Sequence, residues 1–252
     1  MKLTFIGTGS AFTVGDDNYQ SNMLLESDRG RRLLIDCGSD ARFALHELGL
    51  SHMDIHDLYI SHLHADHVGG LEWLAFCTNY GPEKKRIELY LNHTMSYSLW
   101  EHVLSGGLSS LEGAPDKLSY YFKVNEIDEM GIFTWEKTTF QTVQTIHVST
   151  EHGQMPSYGL FFCHNGINVF ITTDTQFNLD LYPFYEKADL IFHDCKTSEH
   201  VSVVHATYEE LKQLPEEYKQ KMWLYHYHPG ELPDAVKDGF LGFVKKGQCF
   251  SF

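Results

Sequence analysis

The 252-residue chain is 42% apolar and 21% charged, a globular balance with length enough for one large α/β domain and a substantial core. Its formal charge of −15 argues against long nucleic acids, whose phosphates call for a basic face; Arg29-Gly30-Arg31-Arg32, Lys84-Lys85-Arg86 and Lys245-Lys246 are short clusters of the kind found at solvated turns. No apolar run is long enough for a bilayer span, the start Met1–Gly7 is too short for a secretory apolar region, and the five scattered cysteines lack a CxxC pair. These features point to a reducing, cytoplasmic setting without a membrane partner.

In chain order, residues 3–6, 22–26 and 32–36 have the pattern of strands, with Gly7-Thr8-Gly9-Ser10 turning after the first. Residues 40–48 have helical spacing with Asp40 as a candidate cap. A strand over 58–61 is followed by a helix over 68–78, a strand over 87–91 and a helix over 94–104. Residues 105–123, rich in Gly, Ser and Leu, form a candidate lid or dimer contact. Residues 138–148 alternate, and 158–163 with 167–172 suggest a hairpin around Asn165-Gly166. A strand over 190–193, a helix over 208–214 and a final core strand over 223–225 complete the pattern, with no repeat or linker to divide residues 1–252. Two packed sheets with helices outside would satisfy this order.

Between the strand ending at Ser61 and the next helix lies His62-Leu63-His64-Ala65-Asp66-His67. Three imidazoles and a carboxylate in six residues are a dense set of metal ligands, suited to zinc, or to manganese or iron where carboxylates share the site. Six residues cannot surround two ions, so partners must come from elsewhere. Asp174 follows Val169–Thr173 and His226 follows Met222–Tyr225, each just beyond an apolar strand, and His147 ends the alternating run.

Asp36 in Leu34-Ile35-Asp36-Cys37-Gly38, the His62/His64/Asp66/His67 element, a later histidine, Asp174 and His226 together resemble, in order, the five motifs of the metallo-β-lactamase fold superfamily. The resemblance implies an αββα four-layer sandwich with two metal ions between its sheets. It implies that His62, His64 and a third histidine hold one ion, that Asp66, His67 and His226 hold the other, that Asp174 bridges them, and that Asp36 orients a ligand imidazole. The third histidine is His147 or His152; strand position favours His147, whereas His152 lies nearer Ser157-Tyr158-Gly159. His226 is favoured over His228 because it directly follows the apolar strand.

Phe192-His193-Asp194-Cys195 followed by Val204-His205-Ala206-Thr207 is similar to motifs of the ribonuclease Z-like phosphodiesterases, in which a carboxylate-steadied histidine protonates the leaving oxygen. His205 would be that acid and Asp194, in place of the family's glutamate, its shorter-reaching partner. Only about 26 residues separate His147 from Asp174, which leaves no room for the tRNA-gripping arm of ribonuclease Z. The chain in this respect resembles cyclic-nucleotide phosphodiesterases, including phage anti-Pycsar nucleases, which implies a small phosphodiester substrate and a homodimer. Ser157 and Tyr158 are candidate pocket residues, and Phe12, Tyr158, Phe177 or Tyr227 could stack on a base. The rival readings are a lactone or thioester hydrolase of the same fold, a tRNA 3′ endonuclease, and a non-catalytic metal-stabilised sensor or scaffold.

Overall fold

Apolar side chains at alternate positions give the strands two buried faces, and the computed structural model shows where each face goes. It describes residues 1–252 except 16, 111, 112, 114, 129, 152 and 200–202. The first sheet is built from β1 (Lys2–Gly7), β2 (Asn22–Glu26), β3 (Arg32–Ile35), β4 (Asp57–Ile60), β5 (Ile87–Asn92), β6 (Phe122–Ile127) and the distant β14 (Cys249–Ser251), in the order β14-β1-β2-β3-β4-β5-β6. The second contains β7 (Ile132–Trp135), β8 (Thr138–Thr150), β9 (Gly153–His164), β10 (Ile167–Ile171), β11 (Leu190–Asp194), β12 (Met222–Tyr225) and β13 (Gly242–Phe243), in the order β13-β12-β11-β10-β9-β8-β7.

Between the sheets lies an apolar layer that includes Leu3, Phe5, Leu25, Ile35 and Tyr59 from one side and Phe140, Phe162, Ile171, Phe192 and Tyr225 from the other. The outer face of the first sheet packs Leu34, Leu58 and Leu89 against helices that include Ala41–Glu47 and Leu71–Tyr80. The outer face of the second packs Phe170, Ile191 and Leu224 against helices that include Tyr182–Lys187 and Tyr208–Lys212. The result is the expected αββα four-layer sandwich, driven by burial of three apolar layers.

β3 to β6 run parallel, as do β10 to β13. The carboxyl ends of β3, β4, β10, β11 and β12 carry the chemistry-bearing residues, the place where parallel strands present loops to a ligand. Several elements differ from the sequence expectation. The expected final core strand, Trp223–Tyr225, forms most of β12, and two- and three-residue edge strands that were not expected follow it. β9 starts at Gly153, five residues before the expected start, since Gln154–Ser157 pair with β8. Asp40 makes no side-chain cap; its Oδ2 instead accepts the Gln20 N–H at 2.9 Å. The helix at Thr94 continues through a π-helical stretch at Leu99–Leu104 to Leu108, and Leu108 and Leu118 are buried in the outer core. All five cysteines are free, with Cys37 and Cys195 buried. Among the described residues no helix is long and apolar enough to cross a membrane.

Candidate metal centre

The histidine-rich element does not remain a loop. His64 is extended, then Ala65–Val68 form one helical turn that carries Asp66 and His67 inward. Gly38 allows the turn to approach: a Cβ there would run into the Asp66 carbonyl. The Cys37 N–H donates to the His67 carbonyl at 2.8 Å and fixes the contact.

From the second sheet, β8 bulges between Ile146 and Val148, so His147 leaves the regular alternation and aims inward. Asp174 and His226 lie beyond β10 and β12. Asp36, Thr173 and His226 all have left-handed backbone, with φ of 62°, 55° and 63°. For a β-branched residue such as Thr173 that conformation is a true outlier, and such strain collects where side-chain direction matters. Hydroxyls brace these turns. Ser157 Oγ and Thr173 Oγ1 are 2.8 Å apart, and Thr145 Oγ1 donates to the Asp174 carbonyl at 3.1 Å.

Two clusters result, sharing Asp174. In the first, His64 Nδ1 lies 3.1 Å from His62 Nε2 and 2.9 Å from His147 Nε2, with Asp174 Oδ2 at 3.7 and 3.8 Å from the latter two nitrogens. In the second, His67 Nε2 faces Asp66 Oδ2 at 3.2 Å and Asp174 Oδ2 at 3.3 Å, and His226 Nε2 faces both carboxylates at 3.3 Å. Donors around a tetrahedral zinc with bonds near 2.0–2.1 Å sit about 3.3 Å apart, so both clusters have the spacing of a ligand shell. The outer nitrogens are already held: His67 Nδ1 by Asp36 Oδ2 at 2.7 Å, His147 Nδ1 by the Val204 carbonyl at 2.7 Å, and His62 Nδ1 beside Ser61 Oγ at 3.1 Å. Ser61 in turn donates to Asp36 from both N–H and Oγ, at 2.8 and 2.7 Å. This leaves His67 Nε2 and Asp174 Oδ1 buried without hydrogen-bond partners, which is costly unless a cation engages them. The residues present therefore fit divalent metal.

His205 Nδ1 lies 2.7 Å from Asp194 Oδ2, so the shorter carboxylate does reach it. The Thr175 N–H donates to the same oxygen at 3.0 Å, and Asp194 Oδ1 faces His226 Nδ1 at 3.3 Å. Burial disfavours protonation of His205, but the charge and hydrogen bond of Asp194 outweigh it and raise the imidazole's pKa. Tyr158 lines a cavity of about 370 Å³ with Asn92, Thr94, Gln141 and Gln144, whereas Ser157 is wholly buried behind Thr173. His152 lies outside the described residues. His228 is placed beyond the two clusters, with its ring stacked on Phe12 at 5.9 Å. Sequence reasoning passed over Ser61, Thr145, Thr173 and Gln176, whose Nε2 donates to the His147 carbonyl at 2.8 Å. Their signal was adjacency: each is one or two residues from a ligand.

Residues 1–250 match the family model described as anti-Pycsar protein Apyc1. An anti-Pycsar protein Apyc1 of Paenibacillus harenae is 39% identical over 232 residues, 90% of each chain. The namesake of Bacillus phage 010DV004 is 34% identical over 99% of this chain and 98% of its own. Among solved structures, the metallo-beta-lactamase fold protein YhfI from Bacillus subtilis superposes with a TM-score of 0.75 at 19% identity, covering 99% of this chain and 98% of that one. The chain has the metallo-β-lactamase fold, is a metal-dependent hydrolase, and belongs to the anti-Pycsar protein Apyc1 family.

Proposed function

We propose that the protein hydrolyses a small phosphodiester of the 3′,5′-cyclic nucleotide type at a dinuclear centre, zinc being the favoured metal. His62, His64 and His147 would hold one ion, Asp66, His67 and His226 the other, and Asp174 would bridge them. The observation that carries the reading is the meeting of both clusters with the His205–Asp194 pair around one carboxylate, Asp174. Bound divalent ions supply a nucleophilic hydroxide near neutral pH and offset charge on phosphoryl oxygens.

The chain's own residues do the rest. Asp194 engages His205 Nδ1 and so leaves Nε2 as the nitrogen that can carry a proton into the groove. A cyclic nucleotide releases a sugar alkoxide, a poor leaving group that needs such a proton, whereas an aryl phosphodiester releases a phenolate that needs it less. Asp36, Ser61 and the Val204 carbonyl hold the ligand imidazoles in place and limit their reorganisation. The anti-Pycsar relatives support a small substrate, and a charge of −15 disfavours long nucleic acid. The family resemblance also supports a homodimer, and five free thiols suit a reducing compartment.

Turnover of 3′,5′-cyclic nucleotides and of bis(p-nitrophenyl) phosphate by the zinc- and manganese-loaded protein tests the reading. His205→Ala is expected to slow the cyclic substrate by roughly a hundredfold or more and the aryl substrate much less. Opening of an acyl-homoserine lactone with silence on both phosphodiesters would overturn the proposal in favour of the lactonase reading.

A further inference from the structure

Lys196 has an almost wholly buried side chain and, among the described residues, no counter-charge. It follows Asp194 by two residues on a backbone that stays extended: its N–H donates to the Ala206 carbonyl at 2.8 Å, the Tyr208 N–H donates to its carbonyl at 3.0 Å, and it bridges to Thr207. Side chains on an extended segment alternate, so Asp194 and Lys196 share a face while Cys195 turns the other way. Cys195 is indeed packed in the outer core with Ile191 and Tyr208. The face of Asp194 is the one that meets His205 and His226.

Lys196 is only 4% exposed, yet among the described residues its ammonium makes no hydrogen bond or ion pair. Asp194 is not its partner, because Oδ2 is taken by His205 and Thr175 and Oδ1 faces His226. Two polar atoms of this segment and the loop tied to it are buried and unpartnered, Ser198 Oγ and His228 Nδ1. The Thr197 hydroxyl accepts the His228 N–H at 3.0 Å and ties these two loops together.

A cation whose side chain is this little exposed and has no counter-charge is poorly solvated and favours a partner of opposite charge. What completes a lysine, a hydroxyl and an imidazole beside a metal centre is an anion. In a chain of net charge −15 the long-range field repels anions, so attraction has to be local. We propose that Lys196 binds a non-bridging oxygen of the substrate's phosphate; this rests on the phosphodiesterase reading above. The side chain would pair with the phosphoryl group as it enters and hold it against the clusters.

The test uses the zinc-loaded protein, with Lys196→Met, Lys196→Arg and Lys196→Gln, and inorganic phosphate as the probe. Phosphate is expected to inhibit bis(p-nitrophenyl) phosphate hydrolysis competitively, with its inhibition constant raised roughly tenfold to a hundredfold in Lys196→Met and partly restored in Lys196→Arg. KM is expected to rise more than kcat falls, at unchanged zinc content. Melting separates this from a structural role: without phosphate Lys196→Met melts no lower than the native protein, and the rise that phosphate gives the native protein is lost in Lys196→Met and Lys196→Gln. Unchanged phosphate inhibition and an unchanged phosphate-induced rise in folded variants would overturn the proposal. A Lys196-dependent rise in a native protein that hydrolyses no phosphodiester would instead keep the anion site and remove the activity it was assigned to.

Discussion

The two clusters that share Asp174 are built from the same residue types, but before metal binds their imidazoles are shifted in opposite directions. Around His62, His64 and His147 burial dominates, and all three imidazoles have lowered pKa values, His147 to about 4. Around His67 and His226 burial opposes protonation too, but Asp174, Asp66, Asp36 and Asp194 outweigh it and both values are raised. Carboxylates therefore decide the outcome: the first cluster has three histidines to one aspartate, the second two histidines to two aspartates, backed by Asp36 and Asp194. A divalent ion meets neutral ligands in the first cluster, whereas in the second it must displace protons.

The largest expected effect falls on the residue the clusters share. Asp174→Ala removes a ligand from both and is expected to lower phosphodiester turnover roughly a thousandfold or more, with metal content falling at both sites. Loss of one equivalent only, measured by metal analysis after gel filtration, would show that Asp174 serves a single ion and that the clusters are independent.

This asymmetry was only partly legible in the sequence. The first sheet's contribution is contiguous, so His62, His64, Asp66 and His67 announce themselves, and Asp174 and His226 are visible because each directly follows an apolar strand. Charge state is not visible, since it depends on which carboxylates arrive through space. The contact of His205 with Asp194, eleven positions apart, was expected from the resemblance of their two motifs, while its 2.7 Å reach was not visible in the spacing. Lys196 passed unnoticed because the extended segment continues past His193, and only burial distinguishes it from a surface lysine. The edge strands β13 and β14 escaped for a simpler reason: two or three residues show no alternation to read.

A second test addresses acid stability of the metal-free protein. His147 is neutral in the folded state while an unfolded histidine titrates near 6.5, so acid protonates the unfolded chain first. Its contribution is complete above about 6.5 and is lost as pH falls towards about 4. That interval corresponds to about 3.5 kcal/mol at most, from roughly 1.4 kcal/mol per pH unit. The raised His67 and His226 slope the other way: their contribution is present below the unfolded value and is lost as pH rises through the folded one. His147→Ala is expected to flatten only the acid limb in urea melts of the chelated protein. An acid limb as steep as in the native protein would show that burial of His147 does not set it.

The smallest effect expected is the most selective. Asp36 touches neither proposed ion; it holds His67 Nδ1 at 2.7 Å and accepts two hydrogen bonds from Ser61. Its φ of 62° is tolerated by asparagine at least as well as by aspartate, so Asp36→Asn keeps the turn and removes the charge. Losing a carboxylate behind a ligand imidazole costs roughly tenfold to a hundredfold in metal affinity. If the clusters are separate binding sites, the loss falls on the ion held by His67 alone, and a chelator titration of Asp36→Asn shows one weakened and one native step. An equal weakening of both steps would mean that Asp36 acts through Ser61 on His62 as well, and that the clusters form one coupled unit rather than two sites with a common edge.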